Sequence, residues 1–378
     1  MKKKKILTLL PGIAAYGKER ANIEVYHLLQ NSGKYDVKVL ANNKSNHRII
    51  ELLSGLDVQL FTYPDRHDEF FSICSYIINV ICANVRLLVL LVKIKPDVLF
   101  INSELTCYDL FWSLMCYRGK IVFRLGDAPA YPNLKYYYAN SWMWKKLCVR
   151  KVCTFVFISK FVQKALEATG RNTRNDSLIY NYPPARNNIK KQIPTNNHRS
   201  IVFGYIGQIC KHKGVDIFIK AAKQMLLLGY DCSFYIAGDL GYDASFGNSI
   251  ELMVSNEPRI RLLGEVEDVD SFYRGIDVLV VPSVYEEPLS NTIVEAKQNY
   301  RPSLIFPSGG MPEIITHEVD GFVCKDKTQE ALCEGMKFYL DNPNLLFFHK
   351  QNAYDSIVKL GIDRTVFERK WLEVFSRF

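Results

Sequence analysis

The 378 residues, 48% of them hydrophobic, suffice for two or three domains with sizeable cores. Ten cysteines with no C-x-x-C spacing argue against a disulfide framework or a zinc site and point to a reduced, cytoplasmic setting. The net charge of +9 is uneven: residues 1–200 hold 30 Lys and Arg against 14 Asp and Glu, a net of +16, and the remainder hold 18 against 25, a net of −7. A basic first half suits an anionic acceptor or a membrane surface, with plain solubility as the equal alternative; nucleic acid is the competing partner, but no recognised binding motif accompanies the charge, and none is expected.

The run after Lys2–Lys5 is too short for a signal peptide, because Pro11-Gly12 ends it, and it is expected to form the first strand. Further strands are expected at 36–41, 58–62, 97–102, 120–125 and 154–159, with helices between most of them, which describes a doubly wound α/β domain. The first turn, Pro11 to Arg20, contains Gly12 and Gly17 and opens a helix, but lacks the G-x-G-x-x-G spacing of dinucleotide folds. The sixteen residues 70–85 carry no charge, yet Asn79, Asn84 and Arg86 interrupt the segment that follows on to Val92. That falls short of a ~20-residue membrane span, so a buried amphipathic helix is expected, with interfacial docking as the alternative. The aromatic clusters Tyr136-Tyr137-Tyr138 and Trp142-Met143-Trp144, beside Lys145-Lys146, are a second candidate for a lipid interface. Asp127 follows the strand 120–125 in a turn before Pro129, where it serves either the turn or a ligand hydroxyl. A stretch rich in Pro, Asn and Lys from Asn181 to His198 marks the link, and the aromatics between Thr365 and Phe375 recur at helical spacing.

In the second half, Phe203–Gly207 is a strand running into Lys211-His212-Lys213-Gly214 and then an amphipathic helix. Strands follow at 233–239, 261–264 and 277–282, the last an apolar run closed by Pro282, as expected of a strand buried on both faces. Ser290 is a natural N-cap, so a helix is expected to start at the carboxyl edge of the sheet, where its free N–H groups and dipole favour a phosphate. Glu287 lies in the turn before it and Glu295 more than one turn inside it, placing two carboxylates where they can accept from different hydroxyls of one ligand. Residues 302–306 form another strand, and Ser308-Gly309-Gly310-Met311-Pro312 a glycine turn expected to open a helix. Asp268-Val269-Asp270 falls in an expected helix start and reads as a capping feature, not a metal site.

The ordered set Pro282-Ser283, Glu287 to Glu295-Ala296, Gly309-Gly310-Met311-Pro312-Glu313 and Asp320-Gly321 resembles the carboxyl-terminal half of glycosyltransferase family 4, retaining enzymes of group 1. The resemblance implies the α/β GT-B fold, two Rossmann-like doubly wound domains facing across a cleft. Residues 1–190 would be the acceptor domain, with the helix 364–378 crossing back to it, and residues 199–363 the nucleotide-sugar domain. By the same resemblance Lys213 and Glu287 are the catalytic residues, and Glu295 holds the nucleotide ribose. Gln208, Ser290, Asn291, Thr292, Gly17 and Leu263 complete the donor site, and Asp127 and Arg20 contact the sugar or acceptor. Two positions depart from the pattern: Gln208 stands where an arginine is expected and cannot form its fork on phosphate, and Gly126 stands where a histidine is expected. The implied activity is retaining transfer of a sugar from a nucleotide diphosphate, UDP-sugar first, to a lipid-linked or growing surface polysaccharide. It needs no cofactor and no metal, and takes place in the cytoplasm, with peripheral contact on the inner membrane face through the basic first domain. An epimerase of the same fold and a non-catalytic sugar-nucleotide-binding scaffold are the alternatives.

Overall fold

The computed structural model describes residues 3–64, 70–129, 142–183 and 200–378. The expected link therefore falls largely outside the described residues, as does the tyrosine cluster 136–138. The chain divides into two compact units, Met1–Tyr180 with Thr365–Phe378, and Asn181–Arg364.

Short runs rich in β-branched and aromatic residues build the first unit's sheet: β1 (Lys4–Leu10), β2 (Tyr35–Asn42), β3 (Asp57–Phe61), β4 (Val98–Ile101), β5 (Lys120–Leu125), β6 (Thr154–Phe157) and β7 (Ser177–Leu178). All pairs are parallel, in the order β3-β2-β1-β4-β5-β6-β7. The central strands β4 and β6 are buried along their whole length, because helices cover both faces. Helix Arg364–Ser376 belongs to this unit: the Trp371 and Phe375 rings lie 5.6 and 5.4 Å from Phe100, and Phe375 lies 6.0 Å from Tyr35. Lys370 Nζ adds a bond to the Leu178 carbonyl at 3.4 Å. Burying aromatic rings of this size stabilises by roughly 1.5–3 kcal/mol each, so these few contacts hold the last helix without a continuous chain to its neighbours.

The second unit repeats the plan with β8 (Ile201–Ile206), β9 (Cys232–Ala237), β10 (Ile260–Gly264), β11 (Val278–Val281), β12 (Ser303–Ile305) and β13 (Gly321–Val323), parallel in the order β10-β9-β8-β11-β12-β13. Its core includes Phe203 stacked on Phe234 at 5.7 Å and Phe218 edge-on to the same ring. Both units are thus Rossmann-like and doubly wound. The strand order reverses between β1 and β4 and between β8 and β11, and each reversal opens a crevice at the carboxyl ends of those strands.

Three local expectations are corrected. The glycine turn at 308–310 leads into a single 3₁₀ turn, Met311–Ile314, because Ile315 already has extended geometry. The tryptophan cluster is split, with Trp144 in the core and Trp142 exposed. The apolar segment forms one helix, Phe70–Ile94, but it is not buried: Ala83, Asn84, Leu87 and Leu91 face the protein, while Ile78, Ile81, Val85, Val89 and Val92 face out. Composition alone does not say which face of so uniformly apolar a helix finds a partner.

Candidate active site

In the second crevice the chain leaves β8 through Gln208 and forms a 3₁₀ turn, Lys211–Lys213. Gly214 follows at φ 71°, and a Cβ there would stand 2.0 Å from the Pro282 carbonyl oxygen. Only glycine permits that handedness and that approach, so the β8 loop lies against the end of β11 and helix Val215–Leu227 starts from it. The His212 carbonyl stitches the two loops, accepting from Val284 N–H at 3.1 Å and Tyr285 N–H at 3.2 Å.

This contact brings Lys213 to Glu287. The Glu287 side chain, in a residue only 8% exposed, accepts on Oε1 from Lys213 Nζ and from Ser283 Oγ at 2.8 Å. Its backbone is equally held: Gly310 N–H donates to the Glu287 carbonyl at 2.7 Å, and a Cβ on Gly309, at φ 56°, would meet that oxygen at 2.0 Å. The glycine pair of the 308–313 motif therefore packs the Glu287 turn. A second pair flanks the first: Glu286 accepts from Gly309 N–H at 2.6 Å and from Lys327 Nζ. Neither Glu286 nor Lys327 is singled out by the sequence, although the Glu286-Glu287 doublet stood in plain view.

Helix Asn291–Gln298 starts where expected, with Ser290 in extended geometry at its N-cap position. The Ser290 hydroxyl does not cap the backbone; it pairs with Thr292 Oγ1 at 2.8 Å. Asn291 Oδ1 accepts from Asn181 at 2.8 Å. One turn in, Glu295 Oε2 accepts from the Tyr273 hydroxyl at 3.0 Å, and that hydroxyl also reaches the Thr292 carbonyl at 3.2 Å. The helix is anchored by Lys297, fully buried, which pairs with Asp320 at 2.9 Å and with Ser356 Oγ at 2.7 Å. Burial pulls the Lys297 pKa down against the Asp320 charge. Asp320 of the Asp320-Gly321 motif is thus a brace for the helix. Gln208 is half-buried, and its carbonyl accepts from the Tyr205 hydroxyl at 2.7 Å. Leu263 sits at the other side of the sheet on outer strand β10, 43% exposed. Asp268 caps helix Val269–Gly275 through Ser271 N–H at 3.0 Å.

The first crevice holds a different cluster. Lys18, from helix Gly17–Asn31 after β1, donates to Glu104 Oε2 at 2.9 Å after β4 and to Asp127 Oδ2 at 3.1 Å after β5. Burial opposes the Lys18 charge, but Glu104 and Asp127 outweigh it and hold the ammonium protonated well above its ordinary range. Burial pushes the Glu104 carboxyl up, against the pull of Lys18, and Glu104 Oε1 is buried without a hydrogen-bond partner. Arg124, buried beside Asn22 at 2.6 Å, is lowered by burial to about 10. A Cβ on Gly126 would touch Lys18 Cε at 3.4 Å, so the lysine stem runs past the position where the expected histidine is missing. Gly17 opens its helix in an exposed position and Arg20 is half-buried in the first turn. Lys18 and Glu104 went unnoticed in the sequence, since 86 residues separate them. Among the described residues no group of three or more His, Cys, Asp or Glu could hold a metal ion.

Residues 186–356, nearly all of the second unit, match the family model described as Glycosyl transferases group 1. Over those residues the chain is similar to the group 1 glycosyltransferases. The chain is similar to the capsular polysaccharide biosynthesis glycosyltransferase CapM of Staphylococcus aureus, with 26% identity over 39% of this chain and 38% of that protein. The chain thus matches well under two thirds of that relative's length. It is 23% identical to the N,N'-diacetylbacillosaminyl-diphospho-undecaprenol alpha-1,3-N-acetylgalactosaminyltransferase of Campylobacter jejuni, over 70% of this chain and 72% of that one. In three dimensions it resembles Anabaena Alr3699/HepE, solved in complex with UDP and glucose, at a TM-score of 0.79 and 18% identity over 99% of this chain and 100% of that one. The last likeness establishes the fold alone.

Proposed function

We propose that the chain is a retaining glycosyltransferase that moves a sugar from a UDP-sugar to a hydroxyl of a lipid-linked or growing surface glycan, without a metal. The observation that carries this reading is the Lys213–Glu287 pair, held by two glycine contacts at the switch point of the second sheet, beside the start of helix Asn291–Gln298. In the proposed reaction the bond between the sugar anomeric carbon and the diphosphate oxygen breaks. A bond forms from the acceptor oxygen on the same face, and the acceptor proton passes to the leaving phosphate. Lys213, Lys211 and the helix N–H groups at Ser290, Asn291 and Thr292 neutralise the charge that grows on the diphosphate, in place of the arginine that Gln208 replaces. Glu287 accepts from donor-sugar hydroxyls and orients the anomeric carbon; Glu295 holds the ribose. In the first unit, Asp127 and Glu104 accept from an acceptor hydroxyl, with Gly17 and Arg20 on the same loop and helix. The named activities of the capsular and undecaprenol-linked relatives support an acceptor of this class.

A panel of nucleotide sugars, followed by nucleotide release with and without membrane lipid extract, tests the proposal. Release that depends on both one donor and the extract is expected. Conversion of a donor without acceptor would assign an epimerase, and binding without turnover a scaffold. Glu295→Ala is expected to raise the UDP dissociation constant about tenfold, as measured by calorimetry, for the loss of a charge-assisted pair of hydrogen bonds.

A further inference from the structure

Helix Phe70–Ile94 presents a solvent-facing stripe at Ile78, Ile81, Val85, Val89 and Val92, spaced by three or four residues and therefore on one face. With Ile77, these side chains are 51–72% exposed. Contiguous apolar surface of this extent is rare on a soluble face and marks an interaction site. The segment Cys74–Ile94 has a mean hydropathy of 2.2 and is long and apolar enough to cross a bilayer. Its other face, however, is committed to the protein: Asn84 donates to the Asp109 carbonyl at 2.7 Å and accepts from Ser113 N–H at 2.9 Å, both bonds buried. Pulling the helix into a spanning position would strand those groups, so it can only lie flat.

The surroundings say what it lies on. No Asp or Glu occurs between Phe70 and Pro96, while Arg86, Lys93 and Lys95 are exposed, within a half of the chain that carries +16. A groove of about 410 Å³ between this helix and the outer strand β3 continues the apolar face through Leu60, Phe61, Val89 and Leu90, with Arg86 among its lining residues. The helix Phe111–Cys116, tied down by Asn84 through Ser113, carries exposed Trp112, and exposed Trp142 of the short helix Trp142–Trp144 packs on the same Phe111, at ring distances of 5.2 and 5.3 Å. Aliphatic face, exposed tryptophans and exposed cations are the three components of a monotopic membrane contact. We infer that helix Phe70–Ile94 lies in the plane of an anionic phospholipid bilayer, its stripe among the acyl chains and Arg86, Lys93 and Lys95 at the phosphates. The inference is independent of the donor site and stands whether or not sugar transfer is demonstrated.

Vesicle flotation of the full chain tests it without any sugar substrate. Flotation is expected with phosphatidylcholine vesicles containing about 30% phosphatidylglycerol, much less with phosphatidylcholine alone, and it should weaken as salt rises. The double variant Val85→Asp, Val89→Asp changes only exposed positions and is expected to keep its circular dichroism and melting temperature while losing about tenfold or more in vesicle partitioning. Arg86→Glu with Lys93→Glu should lose the preference for anionic vesicles and retain the fold. Three results would overturn the inference: a chain that floats with neither vesicle, an aspartate variant that floats as well as the parent, or a parent dimer that the same variant renders monomeric.

Discussion

At the end of β11 one lysine meets one buried carboxylate beside the start of an eight-residue helix; at the ends of β4 and β5 one lysine meets two carboxylates. The two sheets share a topology, and their crevices differ in what surrounds the lysine. In the second, Glu286, Glu287 and Glu295 balance Lys211, Lys213 and Lys327 in number, so the start of helix Asn291–Gln298, with its N–H groups and dipole, is what favours the diphosphate proposed for it. In the first, Glu104 and Asp127 face Lys18 and the buried Arg124, Glu19 stands nearby with its carboxyl raised by burial, and Glu104 Oε1 is left to accept from the hydroxyl proposed for it. On the proposed reading one fold supplies two sites of different preference, because the chemistry lies in the loops at the strand ends and not in the strands.

The largest expected effect comes from removing the cation of the second crevice. Lys213→Ala should lower turnover by about 10²–10³-fold, the scale of losing one group that stabilises transition-state charge. Single-turnover nucleotide release measures it, and unchanged kinetics would break the assignment of this crevice to the diphosphate. Glu104→Gln probes the other side. It should raise the acceptor KM by about tenfold, roughly 1.4 kcal/mol, and leave UDP affinity alone. Equal loss of UDP affinity in calorimetry would erase the distinction between the crevices. The smallest effect separates site chemistry from folding. His349, buried against Tyr339 at 3.3 Å, has its pKa lowered from 6.5 chiefly by burial, so the unfolded chain binds its proton more readily than the folded one. Its contribution to stability is therefore complete above about pH 6.5 and declines as pH falls below that value toward the lowered folded pKa. His349→Gln should flatten that part of the pH dependence of melting while nucleotide binding at neutral pH is unchanged.

Most strands were legible because a parallel strand buried on both faces leaves an apolar run that few other elements produce; Asp277 to Pro282 and Asp97 to Asn102 are examples. β13, three residues long and only partly buried, leaves no such run and was missed. The motif residues were legible as a set, but not their partners. Asp320 reads as one more motif carboxylate until buried Lys297 shows it to be a brace, and Glu286 reads as an idle neighbour of Glu287 until Lys327 and Gly309 close on it.

The sequence by itself determined that two doubly wound α/β halves would form, where the helix at Asn291 would begin, and that the first half would be basic. Each of these follows from local pattern: apolar period, cap residues and charge count. Only the tertiary structure decided that Lys213 meets Glu287 across 74 residues, that Lys18 meets Glu104 across 86 and Asp127 across 109, and that the apolar helix keeps one face uncovered. Such contacts depend on which loops the sheet order brings side by side and which helix face finds a partner, and neither leaves a trace in the residues nearby.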